Sequence, residues 1–142
     1  KKKVLFVCVH NSARSQMAEA FLNSLAGEEF IAESAGFEPG KLNPVVVEAM
    51  TEEGIDISGN GTKSVSQMLE AGKTYDHVIT VCDESQAGRC PVFPGMSGHT
   101  HWSFDDPSSF TGSKEQKLEK VRIVRDQIKL RLERWLKGDG KK

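Results

Sequence analysis

Proline is scarce in this 142-residue chain, at 5, and proline plus glycine together make only 18 residues. That excludes collagen-like repeats and the Pro/Gly-rich composition of disordered segments. Aromatic residues are also few, at 7%. Long apolar runs are missing: the longest near the start, residues 4–9, falls short of the ~18 residues that span a bilayer. It is also short of the ~7–15 residues of a secretory h-region. Neither a membrane span nor a signal peptide is expected. The first residue is Lys1 rather than methionine, so something ahead of it is expected to have been removed or left out. Cysteine is limited to Cys8, Cys82 and Cys90. An odd number at scattered spacings makes no disulfide framework and fits chemically used thiols in a reducing cytoplasm.

What is present is ordinary globular composition, 37% hydrophobic and 27% charged with a net charge of −1, in a length that suits one domain over 1–142. Residues 1–112 carry 8 Lys/Arg against 15 Asp/Glu, and 113–142 carry 11 against 5. The basic tail reads as the polar face of an amphipathic helix, so no nucleic-acid partner is expected.

Strand and helix signals alternate. Residues 3–9 are β-branched and apolar, as in a parallel-sheet strand buried on both faces. Met17, Ala18, Phe21, Leu22 and Leu25 follow at helical spacing, and Gly27 stops them. Residues 30–35 read as a second strand, ending at Gly36. Asn43-Pro44 predicts an N-cap with proline at the first helical position, ahead of a Val46, Val47, Met50 stripe. Ser64 to Gln67 has capping-box spacing before a short helix closed by Gly72. Residues 77–82 predict a third strand, 83–98 a long functional loop, and 101–104 a fourth strand. Ser113 to Gln116 is a second capping box. It precedes a helix whose buried face runs through Val121, Val124, Ile128, Leu132 and Trp135. His77, Phe93, Trp102 and Trp135 are assigned no role beyond packing. The expected fold is α/β: a four-stranded parallel sheet in the order 2-1-3-4 with helices on both faces. Ligands bind at the C-terminal strand ends in such sheets. Cys8 and Cys82 are expected to end neighbouring strands there, which would put them near disulfide range of each other.

The chemistry concentrates in Cys8-Val9-His10-Asn11-Ser12-Ala13-Arg14-Ser15, a joint between strand and helix. Such a joint turns backbone N–H groups inward and adds the positive end of a helix, which together hold a tetrahedral oxyanion. Arg14 supplies a fork for two of its oxygens. The same field favours thiolate at Cys8. Ser15 can donate to that sulfur, and the Asn11 amide can brace the loop.

The segment, continued by Gln16-Met17-Ala18-Glu19, resembles the active-site loop of low-molecular-weight protein tyrosine phosphatases. It more closely resembles that of the thioredoxin-coupled arsenate reductases sharing their fold. The likeness runs on through Ser34-Ala35-Gly36, Cys82, Cys90-Pro91 and His101-Trp102-Ser103-Phe104-Asp105-Asp106-Pro107. It implies Cys8 as nucleophile, Arg14 as oxyanion binder, Asp106 as general acid, and Cys82 and Cys90 as a disulfide relay. Arsenate would be the substrate, phosphate and sulfate its competitors, and thioredoxin or a similar dithiol protein the reductant of a cytoplasmic monomer. On chemical grounds alone Asp105 competes with Asp106 for the acid role.

Some positions depart from the pattern. Ala13 stands where many of these reductases carry a further cysteine, and His10 where glycine is common. Relatives that bind potassium use residues matching Asn11, Glu19 and Ser34. Thr62, Lys63 and Ser64 replace the acidic partner expected nearby, so no cofactor is expected. The alternative function is a tyrosine phosphatase working through a phosphocysteine at Cys8. Ser108, Ser109 and Phe110 follow the Asp-Pro pair where those enzymes carry tyrosines, which favours the reductase. A third reading is a zinc or redox-sensing module on Cys82, Cys90, His99 and His101. It has the right ligand types but lacks close pairing.

Overall fold

The apolar run near the N-terminus forms β1 (Lys2–Cys8) at the middle of a four-stranded sheet in the order β2-β1-β3-β4. The structure is a computed structural model and describes residues 1–82 and 98–138. All three strand pairings are parallel: β1 with β2 (Phe30–Gly36), β1 with β3 (His77–Thr80), and β3 with β4 (Gly98–His101). The expected order and fold class are therefore met.

Period-two alternation divides β1 between two cores. Val4, Phe6 and Cys8 join the larger one, with Met17, Phe21 and Leu22 of α1 (Arg14–Ala26), and Ile128, Leu132 and Trp135 of α4 (Lys114–Lys137). Leu5 and Val7 face Val65 and Met68 of α3 (Val65–Glu70), together with Tyr75. The remaining helix, α2 (Pro44–Thr51), leans on α4. Its ends match the sequence: Asn43 is the N-cap, accepting from Val45 N at 2.9 Å, and Pro44 is the first helical residue. Its buried stripe is Val46, Ala49 and Met50, while Val47 is only half-buried.

The α4 capping box is complete, Ser113 and Gln116 each bonding the other's backbone N–H. All five predicted face residues of α4 are buried, and Leu118 and Arg125 join them. At ~1.5–3 kcal/mol per buried aliphatic or aromatic side chain, that face outweighs the helix's polar composition. Gly27 does cap α1, in a right-handed rather than left-handed conformation. Gly72, at φ +75°, ends α3 in the left-handed one. No described helix is long and apolar enough to cross a membrane.

Three strand assignments shift, the first by a single residue, with β1 at 2–8 rather than 3–9. β3 ends at Thr80 rather than residue 82, and β4 occupies 98–101 rather than 101–104. For β3 and β4 the cause is register: Thr80 pairs with His101, and the ladder's last bond runs from Trp102 N to Thr80 O at 2.8 Å. The apolar residues that suggested a strand instead turn inward past its end. Trp102 is buried and packs on Phe6 and Trp135, with ring centroids 6.3 Å away in each case. The polar segment Gly98-His99-Thr100-His101 can form β4 because it pairs on one side only, with β3. The expected long loop, with Phe93, lies outside the described residues.

Candidate active site

Between β1 and α1 the chain folds back on itself at residues 8–14, and its carbonyls are tied outward. Backbone N–H groups of Phe37, Glu38, Gly40 and Asn43 donate to the carbonyls of Cys8, Val9, His10 and Ser12 at 3.2, 2.7, 3.0 and 3.0 Å. Gln16 Nε2 donates to the carbonyl of Asn11 at 3.1 Å. In a trans peptide each carbonyl opposes the next residue's N–H, so this pattern turns the N–H groups of residues 9–13 toward the loop interior. Asn11 makes the reversal in the left-handed region, at φ 54°, where asparagine is tolerated better than most residues. No side chain caps the start of α1, so its positive end adds to the same interior.

Cys8 sits at the base of this loop, 2% exposed. Its Sγ receives the N–H of Asn11 at 3.2 Å and lies 2.9 Å from Ser15 Oγ. Asn11 Nδ2 donates to Ser15 Oγ at 2.8 Å, which leaves the serine's own hydrogen for the sulfur. Both side-chain roles read from the sequence, Ser15 toward the thiol and Asn11 as a brace, are present in the geometry. His10 is exposed, and its Nδ1 bonds the Glu38 carbonyl at 2.8 Å.

Arg14 is buried at the mouth of α1. Nη1 donates to the Phe104 carbonyl at 3.1 Å, and Nη2 lies 3.6 Å from Asp106 Oδ2. Asp106 is itself anchored: it caps the 3₁₀ turn Pro107–Ser109 by accepting from Ser108 N at 2.9 Å. Asp105 instead lines a separate depression with Ser103, Phe104 and Gln127. The two neighbouring carboxylates are thus sorted by the backbone, and Asp106 is the one that reaches Arg14. Beside the loop a cleft of about 330 Å³ runs between residues 41–45 and Pro107, Ser108 and Phe110, with Lys117 and Val121 lining it too.

Cys82 is a buried thiol like Cys8. Val7 pairs with Thr80, and Val81 N donates to Val7 O at 2.8 Å. Cys82 therefore lies one residue beyond the level of Cys8 on the adjoining strand path. Cys90 lies outside the described residues. His101 Nδ1 bonds Thr80 Oγ1 at 2.6 Å. Among the described residues no three His, Cys, Asp or Glu side chains are grouped to hold a metal ion.

Behind the loop, Ser34 Oγ donates to Glu19 Oε1 at 2.9 Å, and the Lys63 ammonium lies 3.9 Å from the same oxygen. Burial raises the Glu19 pKa, opposed by that hydroxyl and that ammonium. Asn11 Oδ1 is already engaged by Lys63 N at 2.9 Å and Gln16 Nε2 at 3.3 Å. These residues do not fit a potassium ion, because a lysine charge and two N–H donors take the places it would need.

Two contributors escaped the sequence reading as site residues. One is Gly36, where an added Cβ would stand 2.7 Å from Asn11 N and from Val9 O. The other is Gln16. The only sequence signal was their presence in the matching segments Ser34-Ala35-Gly36 and Gln16-Met17-Ala18-Glu19.

Residues 3–142 match the low molecular weight phosphotyrosine protein phosphatase family. The chain is 40% identical over 135 residues to an arsenate reductase of Bacillus subtilis, covering 94% of each. Among solved structures it is similar to an arsenate reductase in the phosphate-binding state, with TM-score 0.75, 35% identity, and 94% and 95% of the two chains covered. It is also similar to a thioredoxin-dependent arsenate reductase of Corynebacterium glutamicum, with TM-score 0.60, 29% identity, and 89% of this chain and 59% of that one covered.

Proposed function

We propose, from the premise that this chain belongs to the low molecular weight phosphotyrosine protein phosphatase family, that it is an arsenate reductase. The observation that carries the reading is a pair of buried thiols, one ending β1 in an anion loop and the other two residues past the end of the neighbouring β3. Hydrolysis of a phosphate ester requires only Cys8 of the pair. Reduction requires a second sulfur to take the first one's place, and the register of β1 with β3 puts Cys82 one residue beyond the level of Cys8 on the neighbouring strand path. The relatives named arsenate reductase, one of them thioredoxin-dependent, support the same conclusion.

Cys8 thiolate attacks arsenate bound by the loop N–H groups and Arg14, forming an S–As bond. Asp106 protonates the departing oxygen, which leaves as water. Cys82 thiolate then attacks Cys8 Sγ. The S–As bond breaks with its electron pair going to arsenic, so arsenic falls from As(V) to As(III) and a Cys8–Cys82 disulfide forms. Cys90 thiolate attacks Cys82, releases Cys8 as thiolate and leaves a Cys82–Cys90 disulfide. Thioredoxin or a similar dithiol protein reduces that bond and is itself oxidised to a disulfide. Phosphate and sulfate share the shape and charge of arsenate and compete for the loop. No metal or organic cofactor enters: the Lys63 ammonium supplies the positive charge beside Glu19. Nucleophile, anion loop and acid come from one chain, which acts as a monomer, and its thiols call for the reducing cytoplasm.

The test is Cys82→Ser, assayed for arsenate turnover with thioredoxin, thioredoxin reductase and NADPH, and separately for hydrolysis of p-nitrophenyl phosphate. Arsenate turnover falls to background while the hydrolysis persists. Undiminished arsenate turnover refutes the relay.

A further inference from the structure

The loop that holds Cys8 has one carbonyl that no backbone N–H reaches in the pattern described above. Asn11 is left-handed, at φ 54°, and its carbonyl faces the first turn of α1. There Gln16 takes it: Nε2 lies 3.1 Å from Asn11 O, 3.3 Å from Asn11 Oδ1 and 3.1 Å from Gly61 O. Gln16 Oε1 accepts from Asn60 Nδ2 at 3.1 Å, and the backbone carbonyls of Asn11 and Gly61, which can only accept, fix Nε2 as the donor end. Gln16 is 0% exposed. A carboxamide costs more to bury than an apolar side chain of equal size unless its hydrogen bonds are made.

They have a direction. Gln16 Nε2 and Lys63 N both donate to Asn11 Oδ1, so Asn11 must present its Nδ2 to Ser15. Ser15 Oγ accepts that bond at 2.8 Å and keeps its one hydrogen for Cys8 Sγ, 2.9 Å away, which as a thiolate can only accept. Every donor in the series points toward the sulfur, which is the arrangement that favours negative charge there. We propose that Gln16 is a positioning residue for the Cys8 nucleophile: its buried carboxamide holds the left-handed turn of Asn11 and, together with the Lys63 N–H, sets the polarity of the chain Gln16–Asn11–Ser15–Cys8. It never touches the oxyanion. The inference rests on Cys8 being the anion-loop nucleophile.

Gln16→Glu keeps the shape and, once ionised, removes every proton the site needs, setting a carboxylate against three oxygen acceptors. Asn60→Ala is milder: from a partly buried position it removes the bond that anchors the Oε1 end of the Gln16 amide, and it keeps the proposal testable if the first variant does not fold. Each variant is treated with iodoacetamide at neutral pH, with and without inorganic phosphate, and alkylation of Cys8 is followed by peptide mass. In Gln16→Glu, Cys8 alkylates about tenfold more slowly and phosphate protects it about tenfold less well, the worth of one hydrogen bond to a charged group. Asn60→Ala moves both in the same direction by about two- to threefold. A merely structural role predicts the opposite, because loosening the loop exposes a buried thiol and speeds its alkylation. Unchanged or faster alkylation in folded Gln16→Glu or Asn60→Ala, whatever the Tm, overturns the proposal. If phosphate fails to protect Cys8 in the unsubstituted protein, the functional reading itself fails and takes this inference with it.

Discussion

Gly36 offers the sharpest test of how the anion loop is held. It closes β2 opposite Cys8 in the parallel register, and its conformation lies outside the left-handed region, so the constraint is space alone. A Cβ added there would stand 2.7 Å from Asn11 N, 2.7 Å from Val9 O and 2.9 Å from His10 C. All three are backbone atoms of the anion loop, and none can rotate away like the end of a side chain. Restoring an ordinary contact of 3.4 Å moves the loop by about 0.7 Å, on the face that carries the Asn11 N–H to the sulfur. A misplacement of ~1 Å in a catalytic arrangement can cost ~100-fold. Gly36→Ala is therefore expected to lower kcat/KM for arsenate by about 10- to 100-fold, or ~1.4–2.7 kcal/mol of transition-state binding. Overpacking adds ~1–3 kcal/mol of destabilisation. Gly59→Ala is the control: nothing lies within 4 Å of its added Cβ, and it leaves both quantities near those of the parent. The assays are steady-state arsenate reduction, phosphate affinity by calorimetry, and Tm. A Gly36→Ala protein that binds phosphate and turns over within twofold of the parent refutes the claim that this glycine sets the loop's position.

The carboxylates can be separated by two substitutions: Asp106→Asn lowers kcat about 10²–10⁴-fold, the usual worth of a positioned acid, while Asp105→Asn stays near the parent. Equal losses in the two would deny Asp106 its distinct place beside Arg14. Acid stability turns on Glu52, which ties α2 to α4; hydrogen bonds from Arg122, then Arg125, hold its carboxyl at about 2 against the ordinary 4.5. A lowered folded-state value contributes stability above pH 4.5 that disappears between 4.5 and 2, so Glu52→Gln lowers Tm at neutral pH and flattens the acid decline. Parallel Tm curves for parent and variant over that range would show that the ion pairs contribute nothing.

Much of this protein could be read from its residue order because the relevant information is local. The unbroken apolar run of residues 4–9 and the helical spacing of Val121, Val124, Ile128, Leu132 and Trp135 reflect which faces must leave water. Asn43-Pro44 and Ser113 to Gln116 determine helix starts by satisfying N–H groups within a few residues of themselves. The joint from Cys8 to Ser15 announces its chemistry because nucleophile, donors and arginine occupy one short stretch. Other features had no local signal. Which of Asp105 and Asp106 meets Arg14 depends on how the chain turns after β4, and β4 itself depends on register with β3 rather than on apolar content. That Gly36 must lack a side chain is a fact about a loop formed by distant residues. That Gln16 must donate hydrogen bonds follows from a carbonyl reversed by Asn11 and from the carbonyl of Gly61. Local sequence decides which groups exist and which way each segment faces. Only the packed chain brings their atoms within hydrogen-bond range, where a shift of under an ångström decides whether the sulfur is held for reaction.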